Sequence, residues 1–124
     1  MLKNDFYTIA RLDRVKNKLT GIFQLNISHS IFQGHFPDIP VVPGVVLIQM
    51  IKEVLEEDFA CKLVLKEAKN IKFLNFINPK EINELDFEII IKSKESETIK
   101  VQAIIDCKKV NYFKISANYK LIKD

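Results

Sequence analysis

"GVVLIQMIKEVLEE", residues 44–57, decides how this chain is read. Val46, Leu47, Ile48, Met50, Ile51, Val54 and Leu55 cover most of the circumference of a helix. Gln49, Lys52, Glu53 and Glu56 share the remaining strip at i, i+3, i+4 and i+7. A helix this apolar cannot lie on a surface and has to be wrapped. The rest of the chain supplies the wrapping. In 85–91, Leu85, Phe87, Ile89 and Ile91 alternate with their neighbours; so do Ile99, Val101, Ala103, Ile105 and Cys107, and Phe113, Ile115, Ala117, Tyr119 and Leu121. Period two means strands with one buried and one wet face. Their connections, near 93–97 and 108–111, are short and polar, which predicts an antiparallel meander. Upstream, a hairpin is predicted over about 6–15 and 19–28, with KNK between the strands and Phe23, Leu25 and Ile27 on the apolar side of the second. A further strand is predicted over 63–77, ahead of a turn at Asn78-Pro79. The fold class is α+β: one antiparallel sheet curled around one central helix, about residues 44–57.

A chain of 124 residues is expected to form a single domain, 1–124, with a core of its own. The net charge of +3 is small, and lysines and acids are interspersed without a basic block, so nucleic acid is not an expected partner. No apolar run approaches the roughly 20 residues that cross a bilayer. The N-terminal stretch MLKNDFYTIARLDR has no apolar signal region, and Cys61 and Cys107 stand alone without CxxC spacing. These features predict a cytoplasmic protein with no membrane insertion.

The segment leading into the helix, "HSIFQGHFPDIPVVPG" (29–44), is stiff. Pro37, Pro40 and Pro43 each fix their own φ and restrict the residue before them. Stiff backbone lowers the entropy cost of holding one side chain, here His35, in one pose. Gly44 falls where the helix starts, and a helix start has unpaired N–H groups and partial positive charge. Such donors suit the developing oxyanion of a thioester enolate, with His35 as the base beside that carbonyl. The same residues also suit a plain structural turn into a buried helix. His29, His35 and Asp38 have no spacing typical of a metal-ligand set, so no metal is expected.

The stretch "FQGHFPDIPVVPGVVLIQ" resembles the signature of the 3-hydroxyacyl-acyl-carrier-protein dehydratases of the hotdog superfamily, GHFPxxPxxPGVLxxE. It matches at Gly34, His35, Phe36, Pro37, Pro40, Pro43, Gly44 and Val45. More weakly, "LDRVKNKLTGIFQLNIS" resembles the family's first hairpin, and "IKFLNFINPKEINELDFEI" its KF-x-x-P-V-x-P-G-D segment. The resemblance implies a hotdog fold and removal of water from a 3-hydroxyacyl chain, giving a trans-2-enoyl chain, while the chain is held on the phosphopantetheine of acyl carrier protein. It implies no metal and no cofactor bound by the protein. It implies that His35 acts at the site of proton abstraction and that the backbone N–H at Gly44 polarises the thioester carbonyl. Val45, Phe32, Phe36 and Pro43 are expected to border the substrate, with Leu47 and Phe73 along the acyl tunnel. A homodimer with shared active sites is implied; a trimer of dimers or a heterodimer with a paralogue are the further assemblies.

One position departs from the pattern. The family acid belongs fourteen residues after the histidine, where this chain has Gln49. A carboxamide holds a hydroxyl by hydrogen bonds but has no proton to give. Glu53 stands one turn further on, next to Gln49 on the helix surface. Glu53 is therefore expected either to replace the acid, directly or through a water, or to belong to the solvated strip with Lys52 and Glu56. His29, in an HSIFQGHFP setting, is expected at the site mouth or as a strand-end residue with a satisfied ring nitrogen. Hydro-lyase activity is the leading expectation. The alternatives are an impaired hotdog subunit that binds acyl chains or pairs with an active paralogue, and an acyl thioesterase.

Overall fold

The computed structural model describes residues 2–29 and 41–122. Its elements are β1 (Tyr7–Val15), β2 (Lys18–Leu25), α1 (Gly44–Phe59), β3 (Lys62–Phe73), β4 (Glu84–Glu95), β5 (Thr98–Cys107) and β6 (Val110–Ile122). The strands form one sheet in the order β1-β2-β4-β5-β6-β3, with every neighbouring pair antiparallel. Two-residue loops at 16–17, 96–97 and 108–109 close three hairpins. The left-handed φ values they require fall on Lys16, Ser96, Lys108 and Lys109.

The sheet's inner face carries Leu19, Phe23, Leu85, Phe87, Ile89, Val101, Ala103, Ile105, Phe113, Ile115, Ala117 and Tyr119, all buried. The helix adds Val46, Leu47, Met50, Ile51, Val54 and Leu55 to the same core. Each large side chain buried this way contributes about 1.5–3 kcal/mol. Two ion pairs tie the far end of the helix to the N-terminal part: Lys3 with Glu57 at 2.9 Å, and Arg14 with Asp58.

Element type follows the expectation throughout, and the ends differ. The helix runs two residues beyond 57, to Phe59, and stops where Ala60 turns left-handed and its N–H donates to the Glu56 carbonyl. The second strand was expected to reach 28 but ends at Leu25. There the Asn26 side chain accepts a hydrogen bond from the Ser28 N–H and starts a turn, leaving Ile27 about half exposed. The strand expected over 63–77 leaves the sheet after Phe73. The chain then swings back so that the Ile77 carbonyl accepts from the Val42 N–H, just ahead of the helix. The turn at Asn78-Pro79 forms as expected, with Glu81 and Ile82 N–H groups donating to the Asn78 carbonyl. The three C-terminal strands outrun their alternating cores. The overrun of β4 is mostly wet, with Lys92, Lys94 and Glu95 exposed, whereas β5 gains only Thr98, and β6 gains three residues ahead of Phe113 and Ile122 after Leu121. No helix among the described residues is long and apolar enough to cross a membrane.

Candidate active site

The helix start is preset by Pro43, whose φ of −63° and ψ of 141° hold it extended, and no side chain caps the first turn. The Val46 N–H folds back onto the Pro43 carbonyl at 3.0 Å, which leaves the first N–H groups, at Gly44 and Val45, to what lies beyond the helix end. Val45 is 73% exposed. A Cβ on Gly44 would stand 2.5 Å from Cε1 of Phe73. A side chain at this position would have to displace the Phe73 ring, which occupies the space from which a Cβ would project. Phe73 rests in turn against Phe113, ring centres 5.3 Å apart. Leu47, on the next turn's inner side, is buried in the core.

Glu53 is not part of the solvated strip. It is 1% exposed, while Lys52 and Glu56 remain partly open. Its carboxylate accepts from the Leu2 N–H at 3.0 Å, the Lys3 N–H at 2.9 Å and the Tyr7 hydroxyl at 2.9 Å. Gln49 Nε2 donates at 2.7 Å to Oε2, the oxygen it shares with Leu2, while Lys3 and Tyr7 donate to Oε1. Burial pushes the Glu53 pKa up, but the hydrogen bonds from Leu2, Gln49, Tyr7 and Lys3 outweigh it and hold the value below the ordinary glutamate range. Tyr7 responds in the opposite direction: burial, the Glu53 charge and the hydrogen bond to it raise its pKa, so the phenol keeps its proton. The cluster is an ionised carboxylate clamped by neutral donors. In this state Glu53 accepts hydrogen bonds and has no proton to hand on.

The clamp also fixes Gln49. With one N–H committed to Glu53, its second N–H and its Oε1 make no hydrogen bond among the described residues. Gln49 and Glu53 border two grooves on the helix surface. One, of about 850 Å³, runs past Lys3, Lys52 and Glu56; the other, of about 320 Å³, runs past Leu2, Val45 and Val46. The structure thus gathers Val45 and the Gln49–Glu53 pair along one groove, while Gly44, nine residues before Glu53, turns toward Phe73. His35, Phe32 and Phe36 lie outside the described residues. His29 follows β2, with Nε2 3.1 Å from an Asp5 carboxylate oxygen and its ring edge-on to Phe6. Among the described residues no group of three or more His, Cys, Asp or Glu side chains could hold a metal ion. Cys61 and Cys107 are free thiols.

The family model for the ApeI dehydratase matches residues 12–113. The chain belongs to the ApeI-like dehydratase family. Its sequence is also similar to the 3-hydroxyacyl-[acyl-carrier-protein] dehydratase FabZ of Neisseria meningitidis serogroup C, 44% identical over 48 residues. The FabZ of Acinetobacter baylyi is 35% identical over 52 residues. Those stretches cover 35% and 39% of this chain and 32% and 35% of the relatives, so the match spans about a third of the curated proteins' length. Among solved structures, the dehydratase heterocomplex ApeI:P of Xenorhabdus doucetiae superposes with a TM-score of 0.73 at 19% identity, covering 94% of this chain and 98% of that one. At that identity the superposition establishes the fold, a hotdog, as the GHFP segment implied. This ApeI-like chain is thereby a hotdog dehydratase-family protein, with Gln49 and Glu53 side by side on its central helix.

Sequence reasoning missed the three partners that clamp Glu53 from the N-terminal segment. Leu2, Lys3 and Tyr7 lie 46 to 51 positions away along the chain, beyond the reach of local pattern. One signal was present. Glu53 follows Val46 by seven residues and Met50 by three, which sets a charge on the edge of the buried stripe.

Proposed function

We propose that this chain dehydrates a 3-hydroxyacyl thioester carried on the phosphopantetheine arm of acyl carrier protein, yielding the trans-2-enoyl thioester and water, within acyl-chain biosynthesis. The observation that carries the reading is the uncapped start of α1 at Gly44 and Val45, inside the family's GHFP…PG segment. There the N–H groups of Gly44 and Val45, which make no hydrogen bond among the described residues, suit a thioester oxygen as negative charge develops on it. His35 takes the proton from C2 as the C2–C3 double bond forms and the C3–oxygen bond breaks. Glu53 is held ionised and Gln49 bears no acidic proton. The proton that leaves with the hydroxyl as water is therefore the one His35 has just taken. Gln49 contributes its remaining N–H to the departing oxygen, and Glu53 acts through Gln49 as a positioning residue. The protein itself needs no cofactor and no metal for this route, and acyl carrier protein is the partner that brings the substrate.

A second reading draws on the same cluster. A site without a proton-bearing acid suits a subunit that binds acyl chains and leaves chemistry to a paired paralogue; the solved ApeI:P relative is itself a heterocomplex. Turnover of 3-hydroxyacyl-acyl-carrier-protein by the purified protein separates the two. Activity in the wild type, abolished in His35→Ala, supports dehydration. Gln49→Glu would place a second carboxyl against an ionised one, keep it protonated at neutral pH, and raise kcat by up to about 10²–10⁴-fold. An inert wild type that Gln49→Glu activates would establish the binding reading.

A further inference from the structure

The two ends of the Gln49 amide differ in chemistry and hardly at all in shape. Half a rotation about the last side-chain bond exchanges Oε1 and Nε2 at little steric cost, so a hydrogen-bond partner decides which end points where. Glu53 is that partner. An ionised carboxylate accepts and does not donate, so the end it holds at 2.7 Å is Nε2, and Oε1 has no place there.

On a wet helix surface an i, i+4 pair of this kind is weak, and both side chains stay free to turn. Glu53 is not on such a surface. It is 1% exposed, and donors from the N-terminal part hold it: the N–H groups of Leu2 and Lys3 and the Tyr7 hydroxyl. The Lys3 ammonium goes to Glu57 instead, and no cationic side chain among the described residues pairs with Glu53. Tyr7 opens β1 and is itself buried, its ring edge-on to Phe23 with centres 5.2 Å apart. Besides Gln49, Tyr7 is the one donor to Glu53 among the described residues that comes from a side chain.

The clamp leaves Gln49 with one acceptor, Oε1, and one donor, its second N–H, beside the grooves it borders. A hydroxyl satisfies both, because it gives one hydrogen bond and accepts others. A ketone oxygen on the same carbon only accepts. It takes the N–H and leaves Oε1 without a donor.

We propose that Gln49 reads the 3-hydroxyl of the acyl chain against a 3-ketone, and that Tyr7 is a positioning residue that acts on Gln49 through Glu53. This rests on a 3-hydroxyacyl thioester lying beside Gln49. It assigns the choice of oxidation level at C3 to Gln49 and, at one remove, to the start of β1.

Equilibrium binding tests it in a His35→Ala protein, so that the bound chain is not turned over. The probes are 3-hydroxyoctanoyl and 3-oxooctanoyl thioesters on acyl carrier protein. The hydroxy chain is expected to bind about tenfold or more tightly than the oxo chain. Gln49→Met has similar length without donor or acceptor, and should bind the two alike. Glu53→Gln gives Gln49 a neighbour that both donates and accepts, so the amide can turn, and the ratio should fall about threefold or more. Tyr7→Phe keeps the ring against Phe23, removes only the hydroxyl, and should lower the ratio in the same direction. A purely structural part for Tyr7 would weaken both chains equally and leave the ratio where it was. Equal binding of the two chains, a preference that survives Gln49→Met, or a ratio that neither Glu53→Gln nor Tyr7→Phe moves would overturn the proposal. Dehydration is assayed separately with His35 intact. Turnover without discrimination removes this proposal alone, and discrimination without turnover leaves it standing in a subunit that binds. Failure to bind either chain removes the proposal, and turnover then decides the functional reading by itself.

Discussion

Glu53 shows how little of a charged side chain's role is visible in its letter. On a helical projection it lies between the solvated strip and the apolar stripe, and the N-terminal segment decides the matter by folding two backbone N–H groups and a phenol onto it. Because its folded pKa lies below the ordinary value of about 4.3, the stability it contributes is fully present above that pH. That stability is lost as pH falls through the folded value. Glu53→Gln is expected to destabilise the protein by about 1–3 kcal/mol at pH 7. It should also flatten the loss of Tm as pH falls below about 4.3. Calorimetry across that range decides it: an acid limb as steep in the variant as in the wild type would show that the carboxylate is not what titrates. Tyr119 is the complementary case, with a buried hydroxyl that finds no partner among the described residues. Its pKa is pushed up to about 12 by burial and by the Glu56 charge.

Among the elements, those with one wet and one dry face were placed by their alternation, and the mostly exposed β1 by its hairpin with β2. β4, β5 and β6 alternate over their middles, and the sequence pattern places them to within a few residues. β3 alternates nowhere beyond Leu63, and its end was overrun by four residues. The glycine in β2 carries a constraint of the same local kind. A Cβ on Gly21 would lie 2.1 Å from the Arg11 carbonyl oxygen and 2.5 Å from the Phe87 ring, because β1 bulges toward it two residues earlier. Gly21→Ala is expected to cost about 1–3 kcal/mol or more, since backbone rather than a side-chain tip must move. Chemical denaturation measures it, and a variant as stable as the wild type would mean that the bulge relaxes freely.

At the scale of the whole molecule, the fold was readable because one helix too greasy for a surface met strands with one greasy face. The irregular register of β3 was not, because its bulges exist only once β3 has paired with β6. That difference has a measurable consequence. In a lone copy, the N–H groups of β3 that point away from β6 face water and should exchange rapidly, whereas β5, flanked by β4 and β6, exchanges only when the sheet opens. Hydrogen exchange is expected to show weak protection in β3 around Ala68 and strong protection in β5. Protection in β3 as strong as that in β5 would mean that the edge is covered.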